Sequence, residues 1–170
     1  MSSLITYRGV VYPWHCDHMG HMNVMWYGKF DEATWQLCSQ IGCTPVYLRQ
    51  QARAMAAVDQ RISYRKELHA GDVITIRSAV LQLKERSLRF VHELSLDETH
   101  EHVATTIVTA VHLDGATRRA CPLPSSVIES ARNEMAMFPA RWDAWPPAQM
   151  FLDREPDPWR PRASLPLLNV

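Results

Sequence analysis

The residues Asn23-Val24-Met25-Trp26-Tyr27-Gly28-Lys29-Phe30-Asp31-Glu32-Ala33-Thr34-Trp35-Gln36-Leu37-Cys38-Ser39-Gln40-Ile41-Gly42 carry a largely apolar series at Trp26, Phe30, Ala33, Thr34, Leu37, Cys38 and Ile41. Those intervals of three and four bring side chains onto one side of an α-helix, and the stripe is wide enough to be packed on more than one side. Asn23 suits the N-cap, because its side-chain oxygen can accept one of the first-turn amides that has no partner within the helix. Gly42 suits the stop. The pattern predicts one long, central helix from Asn23 to about Ile41.

On either side of this helix the period changes from 3.6 to two. A short strand is expected over Ile5–Tyr12, ended by Pro13, which has no amide to give to a ladder. A loop, Trp14 to Met22, links it to the helix. Downstream, alternating runs fall at Met55–Glu67, Asp72–Leu83, Ser87–Asp97 and Val103–Leu113. In the third, Leu88, Phe90, His92, Leu94 and Leu96 share one face, while Arg89, Glu93 and Asp97 share the other. The segments Ala70-Gly71-Asp72, Lys84-Glu85-Arg86 and Asp97-Glu98-Thr99-His100 are short and polar, as hairpin connections are. Strands joined in this way predict an antiparallel meander. One long helix with one curved antiparallel sheet gives an α+β domain whose sheet wraps the helix.

Pro122 and Pro124 close the last strand, and Ser125 is positioned to cap a short helix through Arg132. Beyond Phe138 the composition changes. Residues 139–170 hold most of the prolines together with Trp142, Trp145 and Trp159, too proline-rich for regular structure and too apolar for a solvated tail. The expected organisation is a domain over residues 1–138 and a Pro/Trp-rich arm over 139–170, packed on the domain or on a partner subunit.

Composition narrows the function classes. The chain has 170 residues, 46% of them hydrophobic, which is enough for one core. Lys plus Arg and Asp plus Glu balance at 18 each, so no net field attracts nucleic acid or an anionic membrane. No apolar run is long enough to span a bilayer and the start does not read as a signal peptide, which places the chain in the cytoplasm. Cys16, Cys38, Cys43 and Cys121 show no paired spacing and read as reduced thiols. A small metabolite is the expected partner.

Chemistry concentrates in Asp17-His18-Met19-Gly20-His21-Met22-Asn23, followed by Tyr27. This stretch resembles the hotdog-fold acyl-CoA thioesterases of the 4-hydroxybenzoyl-CoA thioesterase type, in which an Asp-x-x-Gly loop precedes a Tyr in the first turns of the central helix. Ser63-Tyr64-Arg65-Lys66-Glu67 and Ala70-Gly71-Asp72 resemble the family's second strand and its turn. The likeness runs from about Tyr7 to about Ser130. His21 stands where other members carry an apolar residue, and Gly20-His21-Met22-Asn23 is closer to a Gly-His-Met-Asn branch that includes betainyl-CoA thioesterases.

The resemblance implies hydrolysis of an acyl-CoA thioester, no cofactor, and a homodimer or homotetramer made by pairing sheets edge to edge. Asp17 would activate water or attack the carbonyl itself, and amides at the helix N-terminus, Val24 first, would hold the oxyanion. His21 would orient water, bond Asp17 or act as base; Asn23 would cap the helix or hold the carbonyl; Gly20 would admit close backbone approach. Trp14, Trp26 and Tyr27 would build the acyl pocket, holding a quaternary ammonium by cation–π attraction or an aromatic or fatty chain by burial. Among the basic residues at strand ends, Arg65, Lys66 and Arg86 are the candidates for the phosphates of coenzyme A.

Plainer readings stand beside each of these. A loop Asp serves as a turn carboxylate, a lone His as a surface or capping residue, and a Tyr at helical spacing as core. His15, Cys16, His18 and His21 match no closed metal-site spacing, so no metal is expected. The rival functions are a non-catalytic acyl-CoA-binding protein and an enoyl-CoA hydratase on the same fold, which pairs an Asp with a His within one loop.

Overall fold

The computed structural model describes residues 4–135. The Pro/Trp-rich arm expected over 139–170 lies outside them. Strands β1 (Leu4–Val10), β2 (Arg53–Tyr64), β3 (Val73–Leu83), β4 (Ser87–Leu96) and β5 (His102–Asp114) form one antiparallel sheet, and helices α1 (Lys29–Gln40), α2 (Pro45–Gln50) and α3 (Ser125–Met135) accompany it.

The long helix begins where the sequence places it, in a tighter form. Asn23 is extended at φ −67° and ψ 144°, its side chain accepts from Met25 N, and Val24–Gly28 wind as a 3-10 turn before α1 proper. Gly42 follows the helix at φ +91°, a conformation open to glycine. Phe30, Ala33, Leu37 and Ile41 are buried along one side, whereas Asp31, Glu32, Trp35, Gln36, Ser39 and Gln40 are exposed. Among the described residues, therefore, α1 is packed on one side only. Its first half sits with Ile74, Ile76, Leu94, Val103 and Ala104; its second half sits with Val80, Leu88, Phe90 and Val108, where Val127 and Ala131 of α3 close the cluster. Burying each of the larger side chains contributes about 1.5–3 kcal/mol.

The sheet departs from a simple meander. Its order is β1-β3-β4-β5-β2, so β3, β4 and β5 follow one another while β2 lies at the far edge against β5. The segment after β2 is thus a crossing and not a hairpin. Leu68 explains the difference: it is fully buried in the cluster under α1, and its carbonyl accepts from Met22 N at 2.7 Å. Only the final turn of the crossing is tight, with Gly71 at φ +100° and its amide donating to Val11 O. Register shifts at Ile5/Tyr7, Ala57/Asp59 and Val80/Gln82 mark bulges, which bend strands and increase twist.

A buried polar chain crosses the layers. Thr34 of α1 donates to Phe30 O, which leaves its oxygen to accept from Nε2 of His92 on β4 at 2.9 Å. Nδ1 of His92 then accepts from Ser78 of β3, and Ser78 meets Thr6 of β1. Burial holds His92 far below the ordinary histidine value, at about 3, so the ring is neutral and the chain is fully bonded.

Candidate active site

Asp17 opens a tight turn closed at both levels. Gly20 N donates to Asp17 O at 3.0 Å, Asp17 N donates to His21 O at 3.1 Å, and Cys16 pairs with Met22 across the base. The carboxylate takes part: Oδ1 accepts from Met19 N at 2.8 Å, an Asx turn. Gly20 completes it at φ +85°. The turn is fixed to its surroundings by Met22 N on Leu68 O, by the His21–His69 bridge, and by Asn23 N on His15 O at 2.9 Å.

His15 is the hidden support of this loop. It is buried, its Nδ1 accepts from Tyr12 N at 3.0 Å, and its ring lies 4.5 Å from that of Trp26. Burial first, and the nearby Lys29 charge second, hold its pKa below the ordinary value, so it is a neutral acceptor. Lys29 in turn is nearly buried and donates to the Tyr7 hydroxyl at 2.9 Å.

At the helix entrance, Met25 N is taken by Asn23 Oδ1 at 3.0 Å and Trp26 N by Asn23 O at 3.0 Å. Val24 N is the first-turn donor left without a partner among the described residues, and its side chain is exposed. A free amide at a helix start, with the positive end of the peptide dipoles behind it, is suited to a developing negative charge.

The other expected residues divide. His21 lies with its Nε2 3.6 Å from Glu67 Oε1, and its hydrogen bond with Asp17 is through the backbone. Tyr27 is buried, edge-on to Tyr64 at 4.8 Å, and its phenol is pushed up to about 12 by burial, with Tyr64 and Glu67 adding to the effect. It is a neutral core aromatic. Trp26 is half-buried over His15, while Trp14 is 65% exposed and stacked on Tyr12 at 4.6 Å. Trp14 and Trp26 both pack on the His15 ring, at 6.0 and 4.5 Å between ring centres, while Tyr27 packs against Tyr64. Arg65 and Lys66 lie at the same end of the sheet as the Asp17 turn, with Lys66 paired to Glu101. Arg86 sits in the β3–β4 hairpin beside Glu85, a strand length away, roughly 30 Å at the usual rise per residue.

Two features were not anticipated. Glu67 brings a second carboxylate beside His21 and Tyr27; its position on the crossing, which alternation cannot reveal, is what puts it there. The second is a cleft of about 200 Å³ between α1 and the β2 side of the sheet. Its walls include Trp35, Cys38, Met55, Phe90 and Val108, with Asp31, Thr34 and Gln60 as polar groups. Burial pushes the Cys38 thiol up to about 12, so it lines the cleft as a neutral thiol. Among the described residues no group of three or more His, Cys, Asp or Glu side chains is arranged to hold a metal ion, and no helix is long and apolar enough to cross a membrane.

Comparison with solved structures finds the same fold. A Staphylococcus aureus protein solved in complex with CoA superposes with a TM-score of 0.77 at 19% identity, over 92% of this chain and 97% of that one. A 1,4-dihydroxy-2-naphthoyl-CoA thioesterase from Synechocystis gives 0.67 at 19% identity, over 76% and 96%. YbaW of Escherichia coli gives 0.65 at 24% identity, over 78% and 99%. At these identities the likeness establishes the architecture, the hotdog fold. A search of curated proteins finds no match. The family model described as the thioesterase-like superfamily matches residues 11–130, from the end of β1 into α3 and across the Asp17 turn, the capped helix and the whole β2–β5 segment. The chain belongs to the thioesterase-like superfamily.

Proposed function

We propose that the protein hydrolyses an acyl-CoA thioester to the free acid and coenzyme A, with Asp17 as the reacting carboxylate. The observation that carries the reading is the Asp17 turn at the foot of a capped helix whose first amide, Val24 N, has no partner among the described residues. Base or nucleophile and oxyanion donor belong to adjacent segments, as acyl transfer requires. With Oδ1 held by Met19 N, Oδ2 is the oxygen left to act on water or on the carbonyl carbon. Family membership and the CoA-bound neighbour support the substrate class.

In this reading His21, polarised by Glu67, orients the water, and Asn23 keeps the helix entrance in place. Gly20 allows the thioester to lie against the backbone. Arg65 and Lys66 are at the right end of the sheet for coenzyme A phosphates, and Arg86 reaches them only from a second subunit. We place the acyl group against Trp14 and Trp26 or in the cleft beside Trp35. A carboxylate, Asp31, together with an indole in that cleft favours a short acyl group bearing a quaternary ammonium. The protein acts as a homodimer built along the exposed edge of β2.

Asp17→Asn is the informative variant, because the amide oxygen still accepts from Met19 N and the turn survives while the charge is lost. Thiol release is measured from acetyl-, butyryl-, betainyl-, benzoyl- and palmitoyl-CoA. Release from one class, reduced on the order of several hundredfold in Asp17→Asn, is the expected result. Saturable acyl-CoA binding without release would instead assign the carboxylate to its turn alone and make the protein a binder. Loss of crotonyl-CoA absorbance without thiol release would identify a hydratase.

A further inference from the structure

At the end of the sheet remote from the Asp17 turn, α3 and the β3–β4 hairpin flank a second cavity, of about 450 Å³. Its walls are Leu83 from the end of β3, Lys84 and Glu85 from the hairpin, and Ile128, Arg132 and Met135 from α3. The three α3 residues stand four and three apart, so they share one helix face. Backbone bonds fix these walls: Leu123 N donates to Glu85 O at 2.8 Å just ahead of α3, and Lys84 N donates to Ser87 O at 2.9 Å across the hairpin. The volume lies within the range of about 300–1,000 Å³ usual for small-molecule sites.

The lining divides by chemistry. Leu83, Ile128 and Met135 are half-buried and packed against the core cluster that contains Leu88, Val127 and Ala131, which gives an apolar floor. Lys84 and Arg132 are exposed, and among the described residues neither has an ion pair. Glu85, the one acid in the lining, lies 3.7 Å from Arg86, which is not part of it. An apolar floor beside two cations suits an apolar chain with an anionic head. The chain gains by burial, and the head gains a charge-assisted hydrogen bond from Arg or Lys. The cleft beside Trp35 has the opposite sign, since its charged group is Asp31, so the two cavities select different ligands.

We propose that this cavity binds a medium-chain carboxylate, with Arg132 and Lys84 holding the head and Leu83, Ile128 and Met135 holding the chain. At the roughly 30 Å³ that a water occupies in the liquid, the space takes about fifteen water-sized groups, enough for a chain of about ten carbons and its carboxylate. The site is separate from the Asp17 turn, because its hairpin lies a strand length away. Binding there involves no covalent step.

The test is titration of the full-length protein with sodium decanoate, below its micelle concentration, followed by backbone amide chemical shifts. Saturable binding is expected, with shifts confined to the β3–β4 hairpin and α3. Decyltrimethylammonium has the same chain and the opposite charge, and butyrate has the same head and little chain; each should bind at least about tenfold more weakly. Arg132→Gln and Lys84→Gln, both at exposed positions, should each weaken decanoate by about tenfold, the worth of one charge-assisted hydrogen bond, with the rest of the spectrum unmoved. Shifts centred on the Asp17 turn or on Trp35 would put the chain in the acyl site and overturn the proposal. Equal binding of the two amphiphiles, or no saturable binding of decanoate, would overturn it as well. Retention on phosphatidylglycerol vesicles without decanoate binding would make this face a lipid contact instead.

Discussion

Gly20 shows how a single residue can set the site through the backbone alone. At φ +85° it occupies the left-handed region, and a Cβ built there would meet no heavy atom within 4 Å. Gly20→Ala therefore costs only the conformational term, about 1–2 kcal/mol, without a clash. Asn tolerates this region better than Ala, so Gly20→Asn should lose less thermal stability than Gly20→Ala; equal losses would mean that something other than backbone conformation sets the cost. The same residue was legible in the sequence, since a Gly three places after an Asp and three before an Asn marks a turn feeding a helix. Asn23 as cap was legible for the same reason. Glu67 was not, because a charged residue after a strand carries no sign of what it faces. The local bonding of His21 and Tyr27 also lay beyond pattern, since burial and ring contacts are set by elements distant in sequence.

Among the elements, α1 and β2 to β5 were legible from their periods, β1 from the proline that ends it and α3 from Ser125 as its cap, with boundaries moved by a few residues. Helix α2 was missed: six residues are too few to show a period, although Thr44 and Pro45, which cap and start it, are its signature. Strand order was missed for a deeper reason, since alternation specifies which face is buried and says nothing about which strand lies alongside. The buried chain Thr6–Ser78–His92–Thr34 ties β1, β3, β4 and α1 into one unit, and its histidine gives that unit a pH dependence. The folded His92 titrates at about 3 against an ordinary 6.5, so the unfolded chain binds the extra proton between those values. Stability is then complete above about pH 6.5 and falls as pH drops toward 3, by on the order of a few kcal/mol. His15, also held low by burial, acts in the same direction. Asp97 and Asp114, whose pKa values are lowered first by hydrogen bonds from Arg8 and Thr117 respectively, lose their contribution only below the ordinary carboxylate range. Urea midpoints measured from pH 7 to 4.5 should fall in the unmodified protein and fall less steeply in His92→Gln. Parallel slopes would assign the dependence to other groups.

At the scale of the whole molecule, the described residues leave one side of α1 and the β2 edge of the sheet uncovered, and both lie beside the same cleft. Trp35 on α1 is 48% exposed, and Val58 at the β2 bulge is 62% exposed. An edge strand of this length with free amides and carbonyls invites pairing, and a second copy running antiparallel would satisfy both edges at once. Such a dimer would also cover the cleft and let Arg86 of one subunit approach the Asp17 end of the other. Because successive amides in a strand point to opposite edges, adjacent prolines discriminate sharply. Of Gln60→Pro and Arg61→Pro, one removes an amide that bonds β5 and should lower thermal stability markedly. The other removes an amide on the open edge, and should give a folded protein that sediments as a monomer while the unmodified chain sediments as a dimer. If neither substitution changes the sedimentation of a folded protein, subunits do not meet along β2, and the uncovered side of α1 becomes the surface to test next.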